Sequence, residues 1–420
     1  MENEKFLSIS RDFLELLLDG VHNKPTFVLW DGSKILGNKR ETEILINYPW
    51  SLREMFLNPS ELSMAEAYIY GDIDIKGNIY DVFPLANELI EKKFGVKNKV
   101  KLFTLLKKLP SRKISYEKCF ANLSGKKHSK DRDASAISYH YDVSNDFFRL
   151  FLDKNMQYSC AYFESEDDSI DVAQEKKMEY ICRKLSLTPG EKLLDIGAGW
   201  GGLIIYAAKN YGVIARGITL SKRQYEYARN WIKKEGLEEK CSMELLDYRD
   251  IDGKEKFDKI VSVGMFEHVG RENYEKYLKI AYNILKEGGL FLNHGISIRA
   301  DLFGKSRSSF SEKYVFPDGE LLPIYFTTKI SEMVGFEIRD VECLREHYSL
   351  TLRKWVSRLE KNREKAIEFA GEKRYRIWRL YMAGSAEQFK NREIGVYQTL
   401  LLKDKNGMGN LPLSRRSWYL

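Results

Sequence analysis

The sequence contains no apolar run approaching the roughly 20 residues that a membrane-spanning helix needs, which excludes an integral helical membrane protein. Cysteine is sparse: five residues, at 119, 160, 182, 241 and 343, scattered, odd in number and without a CxxC pair. Neither a disulfide framework nor a zinc knuckle is built that way, so a reducing cytoplasm is expected. The opening MENEKFLSISRDFLELLLDG is acidic and amphipathic, and lacks the basic start and small-residue cleavage site of a signal peptide. There is no internal repeat. What remains is 420 residues, 43% hydrophobic and 31% charged, the composition of a soluble globular chain of two or three domains.

The net charge of +7 is unevenly placed. Between Glu91 and Lys130 thirteen lysines and arginines face two glutamates, so this stretch carries more than the whole basic excess. Within it Leu89, Ile90, Phe94, Val96, Val100, Leu102, Phe103, Leu105, Leu106 and Leu109 alternate with lysines, as in a cationic amphipathic helix that lies on anionic lipid. Lys107, Lys108, Arg112 and Lys113 are the expected membrane contacts. An ordinary solvated basic face has the same pattern. Aromatic residues are too few here for the stacking platforms of nucleic-acid binders, and no nucleic-acid partner is expected.

Residues 1–118 mix short helical and strand-like pieces and read as a smaller α+β domain for lipid docking. The polar run Asn122–Ser135 marks a linker, taken as 119–135, and residues 136–420 read as the catalytic domain. There LLDIGAG, GVIARGITLS, KCSMELLDY, FDKIVSVGMFEHV and GGLFLNHGIS read as strands, separated by helical stretches. That alternation implies a parallel, doubly wound, Rossmann-like sheet. A helical tail follows, with Trp355, Phe369, Trp378, Tyr381, Phe389 and Tyr397 as packing anchors.

The loop Asp195-Ile196-Gly197-Ala198-Gly199-Trp200-Gly201-Gly202 follows a hydrophobic strand and opens a helix, where ligands of such sheets bind. Its spacing satisfies GxGxxG, which raises a nicotinamide dinucleotide. Two features count against one. The next strand ends Gly217-Ile218-Thr219-Leu220-Ser221, without the carboxylate a dinucleotide ribose needs. Asp195 at the mouth of the loop would also repel a pyrophosphate. S-adenosylmethionine has no phosphate and carries an ammonium that the same Asp would welcome. Asp247-Tyr248, after the third strand, is the expected polar pair for the adenine. The sheet is therefore read as that of a methyltransferase.

The motifs HYDVSNDFF (140–148), MQYSCAYF (156–163), LDIGAGWGG (194–202), ITLSKRQ (218–224), DYRD (247–250), VSVGMFEHVG (261–270), LNHGIS (292–297), KYVFPDGELLP (313–323) and HYSLTL (347–352) stand in the order found in cyclopropane-fatty-acyl-phospholipid synthases. The chain resembles that family and, more distantly, the mycolic acid cyclopropane synthases. MAEAYIYGDIDIKGNIYDVF also looks like the family's N-terminal domain. The resemblance implies transfer of a methylene from S-adenosylmethionine to a cis double bond of an unsaturated phospholipid acyl chain, with a bound bicarbonate as base. It implies a bicarbonate pocket of Cys160, Glu267, His294, the backbone of Ile296, and Tyr348. It implies that Tyr158, Ser159, Gly197, Gly199, Gly201, Thr219, Gln224, Asp247 and Tyr248, with Asp195, hold S-adenosylmethionine. A peripheral association with anionic bilayers and a homodimer are further implications. Ser385 stands where many members carry a cysteine, so a thiol there is not required if this chain is active.

The chemistry fits these residue types. An alkene attacks a sulfonium methyl only when aligned in a dry pocket. The resulting carbocation can be stabilised by aromatic faces, for which Tyr141, Phe163, Tyr314 and Phe316 are candidates. A neutral His294 or Tyr348 can donate to a bicarbonate while Glu267 accepts its hydroxyl; Glu267 as the direct base is the competing mechanism. Each residue also has a bland reading: His294 as a satisfied core histidine, Cys160 as a small buried hydrophobe. The alternatives are an olefinic fatty-acyl methyltransferase giving a methyl-branched chain, a methyltransferase for another lipid, a binding module without catalysis and, most distantly, a dehydrogenase.

Overall fold

The computed structural model describes residues 2–112, 119–120, 123–141, 144–305, 309–406 and 411–419, with Ser138, His140, Tyr141 and Ser309 through their backbone alone. The expected membrane contact Lys113 and the side chain of Tyr141 lie outside that description. The chain divides into two compact units.

The larger unit comprises residues 121–306, 316–370 and 388–420. Its seven-stranded sheet is built from β1 (Lys192–Ile196), β2 (Ile214–Thr219), β3 (Cys241–Leu245), β4 (Phe257–Val263), β5 (Leu285–Ile298), β6 (Glu337–Cys343) and β7 (Ile394–Leu402) in the order β6-β7-β5-β4-β1-β2-β3. β1 to β5 pair in parallel and β7 runs antiparallel to both its neighbours. Successive residues of the central strands enter opposite cores. Leu193, Leu290, Leu292, Leu400 and Leu402 pack on one side. Leu194, Phe291 and Leu401 pack on the other. Because strand side chains alternate in direction, these unbroken apolar runs make a sheet covered on both faces. The expected doubly wound fold is what forms.

Three local readings change. The FEHV end of the fourth expected strand leaves the sheet after Val263 and turns into the short helix Phe266–His268. Tyr397, expected in a helical tail, lies on β7, and Phe369, expected as an anchor, is exposed. Trp355, Trp378 and Phe389 are buried. The polar run expected as a linker contains the start of helix Lys130–Tyr141. Its charges pair with this unit, Arg132 with Asp318 and Asp133 with Arg249.

The smaller unit comprises residues 1–120, 307–315 and 371–387. A four-stranded sheet in the order Lys34–Ile35, Pro25–Val28, Lys39–Ile46, Ile73–Lys76 packs with helices, among them Glu2–Leu18 and Val96–Lys108. Gly77 has φ +88°, and a Cβ there would sit 2.2 Å from the Glu41 carbonyl oxygen, so this turn needs glycine. The helix segment 371–387 is tied in by Arg376 and Arg379. Their guanidiniums donate to the carbonyls of Tyr68 (2.9 Å) and Ile75 (3.2 Å). No helix among the described residues is long and apolar enough to cross a membrane.

Candidate active site

A cavity of about 110 Å³ opens at the carboxyl ends of β1, β2 and β4. The glycine loop makes one wall. Gly197 has φ +86°, and a Cβ on it would meet the Met265 side chain at 2.7 Å; Gly201, at φ +87°, would meet Ala228 at 2.9 Å. Gly199 is also left-handed, so the backbone itself lines the cavity where side chains cannot. Thr219 and Gln224 line the far side, the Thr219 hydroxyl donating to Gln224 Oε1 at 2.8 Å. Tyr158 and Ser159 close the wall that faces β4, with the Tyr158 ring stacked on Trp355 at 5.2 Å.

Asp195, the last polar residue of β1, is buried in this wall with Oδ1 lacking a hydrogen-bond partner. Burial raises its carboxyl to about 7, an effect that the nearby Lys177 ammonium opposes. Lys177 is itself fully buried, on the helix Ile170–Lys184, and donates to Gln157 Oε1 and Ser159 Oγ, both at 2.8 Å. One turn earlier Gln174 donates to the carbonyl of Ser159 at 2.9 Å. These two side chains clamp the segment 157–160 against the cavity.

A second polar cluster sits just beyond β4 and on the neighbouring part of β5. Glu267 Oε1 accepts the Ile296 backbone N–H at 2.7 Å, while Oε2 is buried without a partner. Burial pushes this carboxyl up to about 7, against the Ile296 hydrogen bond. His294, two residues before Ile296, has its Nδ1 3.3 Å from the Gln398 amide nitrogen across the β5–β7 pair, and its Nε2 is buried without a partner. Burial and the charges of Lys177 and Lys184 lower the imidazole to about 3, so the ring is neutral. The Gln398 amide therefore partners Nδ1 and leaves Nε2 facing no group of its own. Cys160 is wholly buried, its thiol 3.6 Å from the Leu344 carbonyl, and desolvation drives its pKa far up, so it is no thiolate. Leu344 donates its N–H to Val396, the partner of Ile296 on β7, and its carbonyl accepts the Tyr348 N–H. A continuous set of backbone contacts therefore links Cys160, Ile296 and the Tyr348 helix.

Residues 128–399 match the family model described as mycolic acid cyclopropane synthetase, and residues 13–98 match a domain of unknown function. The chain belongs to the mycolic acid cyclopropane synthetase family. A probable fatty acid methyltransferase of Pseudomonas putida is 39% identical over 96% of this chain and 98% of its own length. The cyclopropane-fatty-acyl-phospholipid synthase of Escherichia coli is 38% identical over 67% of this chain and 71% of its own. Among solved structures, mycolic acid cyclopropane synthase CmaA1 complexed with SAH and CTAB superposes with a TM-score of 0.61 at 33% identity. That match covers 64% of this chain and 97% of CmaA1.

As a member of this family the protein is an S-adenosylmethionine-dependent methyltransferase, and its own residues fit that molecule. Gly197 and Gly199 bring bare backbone to the cavity, and Asp195 Oδ1, buried there without a hydrogen-bond partner, offers an acceptor for an ammonium. Asp247 follows β3 and caps the short helix Tyr248–Asp250. Both its oxygens are taken by Arg249, whose Nε and Nη2 donate at 2.8 and 2.6 Å, and the cavity wall is formed instead by Leu246, Tyr248 and Arg249. Of the aromatic candidates, Phe163 and Phe316 belong to this unit. Phe316 lies 5.6 Å from the His268 ring, which lines the cavity, and Phe163 packs on His347 at 6.4 Å. Tyr314 belongs to the smaller unit, where its hydroxyl donates to Glu66 at 2.8 Å; Ser385 lies on that unit's segment 371–387. Lys177, Gln398, Arg249 and His268 were not singled out in the sequence. His268 alone carried a signal, as Glu267's neighbour in FEHVG.

The Asp195 carboxyl gives a pH test. Its folded value of about 7 exceeds the ordinary 3.8, so between those values the folded state holds a proton that the unfolded chain has released. This contribution to stability is present below pH ~4 and is lost as pH rises through 7. An ammonium docking on Asp195 requires the ionised form. S-adenosylmethionine affinity should therefore rise from pH 6 to 8 with release of a proton, and Asp195→Asn should bind more weakly with that rise absent. Calorimetry in buffers of different ionisation heat reads both; an identical pH slope in parent and variant would exclude this role.

Proposed function

We propose that this methyltransferase is a cyclopropane-fatty-acyl-phospholipid synthase, adding a methylene from S-adenosylmethionine across the cis double bond of an unsaturated acyl chain in a membrane phospholipid. The observation that carries the reading is the pair of partnerless polar atoms, Glu267 Oε2 just beyond β4 and His294 Nε2 on β5 opposite Val263, both buried next to residues that line the cofactor cavity. Left alone, each would cost about 1–3 kcal/mol of unrecovered desolvation, so a small polar ligand is expected between them. Bicarbonate both accepts and donates hydrogen bonds, which suits such a pair; it would be held by Glu267 and His294 with Cys160, the Ile296 backbone and Tyr348 around it, and when bound it would supply a weak, fixed base.

S-adenosylmethionine supplies an electrophilic methyl group. The alkene's π pair forms the new carbon–carbon bond, and the carbon–sulfur pair stays on sulfur. The resulting cation loses a proton from the transferred methyl, and that C–H pair closes the ring. The protein's share is to hold the sulfonium in the glycine wall, exclude water and keep a proton acceptor aimed at the methyl. Docking on an anionic bilayer through the lysine-rich Glu91–Lys130 stretch supplies the lipid, with Lys107 and Lys108 exposed for that contact. Arg112 is instead committed to buried Asp72.

The nearly full-length likeness to a probable fatty acid methyltransferase favours a second reading, methylation of the olefin without ring closure. Incubation with monounsaturated phosphatidylglycerol vesicles and S-adenosylmethionine separates the two. The first reading expects a product heavier by one CH₂, with no olefinic proton signal and with ring protons far upfield. Turnover should drop when bicarbonate is removed and recover when it is restored. A product heavier by one CH₂ that keeps an olefinic signal, or a saturated branched chain, would establish the second reading.

A further inference from the structure

Helix Val96–Lys108 has two apolar faces. Leu102, Leu105 and Leu106, with Leu109 just beyond, are buried within the smaller unit, where the helix packs on Glu2–Leu18 and Ser51–Phe56. Val96, Val100 and Phe103 follow the i, i+4, i+7 spacing of a second stripe and are 79%, 59% and 50% exposed. Ile90, on the preceding helix Val82–Glu91, is 78% exposed. At about 100° per residue, Lys97, Lys101 and Lys108 stand along one flank of the outer stripe and Lys99 along the other. Lys107 continues the stripe, with its ammonium 5.0 Å from the centre of the Phe103 ring. No acidic residue occurs from Lys92 to Lys113.

We infer that this outer face is a membrane-insertion element: Val96, Val100 and Phe103 enter the acyl boundary of an anionic phospholipid bilayer while the flanking lysines meet its headgroups. The inference rests on the lipid substrate proposed above and adds the apolar part of the contact. An apolar stripe kept in water marks a docking surface, and its basic frame selects the partner. A second copy of this chain would set lysines against lysines, a repulsion that like-charged interfaces do not sustain. Nucleic acid would match the lysines but leave the stripe facing phosphates. Anionic lipid satisfies both features. The stripe contributes the salt-insensitive part of the affinity and the lysines the part that salt screens.

The test is sedimentation of the full chain with phosphatidylglycerol vesicles. Val100→Ser with Phe103→Ser should weaken vesicle binding at least about tenfold at both low and high salt. Lys97→Gln, Lys101→Gln and Lys108→Gln together should weaken it at low salt and flatten its salt dependence. Helicity, S-adenosylmethionine affinity and turnover of detergent-dispersed phospholipid should stay at parental values, since these positions are exposed. Unchanged vesicle binding by the serine variant, a parent that binds no vesicles, or a parental dimer that the serine variant dissociates would each overturn the inference. Parental vesicle binding without lipid turnover in detergent would instead overturn the proposed reaction and leave the docking face standing.

Discussion

Glu267→Gln is expected to lower turnover by about 10²–10⁴-fold, the usual worth of a positioned acid–base group, with S-adenosylmethionine affinity within a few-fold of the parent. The substitution keeps the shape of the side chain and changes its hydrogen-bonding sense. Oε1 is committed to the Ile296 N–H, so the amide oxygen takes that place and an NH₂ donor replaces the partnerless Oε2. The cluster then loses the acceptor that Oε2 offered and gains a donor in its place. It can no longer orient a bicarbonate hydroxyl, nor take a proton directly. Burial holds the Glu267 carboxyl up near 7, so at saturating S-adenosylmethionine, where the Asp195 titration no longer limits binding, parental turnover should also fall as pH drops from 8 to 6, and the variant should lack that limb. Release of S-adenosylhomocysteine with unsaturated vesicles measures the rate, and calorimetry the affinity. Residual turnover that still depends on bicarbonate would favour Glu267 as the orienting group. Loss of turnover in a chain whose parent ignores bicarbonate would make Glu267 itself the base. A rate within threefold of the parent would remove Glu267 from the chemistry.

The central sheet was legible because β1 to β5 are short apolar runs bounded by glycine and polar turns, and the site residues sit where those runs stop. Glu267 follows the end of β4 in the short helix Phe266–His268, and His294 lies inside β5 opposite Val263, the last residue of β4. The other edge of the sheet was hidden. Glu337–Cys343 reads EIRDVEC, with mostly polar and half-exposed residues suited to an edge, and its strand character comes from pairing with β7 rather than from local pattern. Ile394–Leu402 follows a long helix without a proline break, so Tyr397 read as more of the same helical tail. Missing β7 meant missing Gln398, whose amide lies 3.3 Å from His294 Nδ1. Lys177 was hidden for a different reason. A lysine in EKKMEY on an amphipathic helix reads as solvated, and only the assembled structure shows it enclosed by Gln157, Ser159 and the charge of Asp195. Nor does any local signal say that the segment 371–387 joins the smaller unit, because the carbonyls that Arg376 and Arg379 bind lie some three hundred residues away in sequence.

Gly295→Ala is expected to be the most damaging single-methyl addition near the site. Gly295 stands on β5 between His294 and Ile296, and a Cβ there would fall 1.7 Å from Cε1 of Phe266 and 2.2 Å from Cδ1. The ring has nowhere to retreat, being buried against Tyr274 at 5.6 Å. Overpacking of this kind costs about 1–3 kcal/mol or more of stability. The functional cost follows from chain connectivity. Phe266 directly precedes Glu267, whose carboxylate is fixed by the N–H of the residue directly after Gly295. Moving the ring therefore shifts both ends of that hydrogen bond, and a misplacement of about 1 Å costs on the order of 10²-fold in rate. Turnover should fall by about that factor, while S-adenosylmethionine affinity falls much less, because the glycine wall and Asp195 stand on β1. Phe266→Leu placed in the same chain frees the space and should recover part of both stability and rate, a coupling that a double-mutant cycle with denaturant unfolding and turnover can measure. If the alanine variant keeps parental stability and rate, the Phe266 ring does not press on β5 as described, and the link between the strand and Glu267 is lost with it.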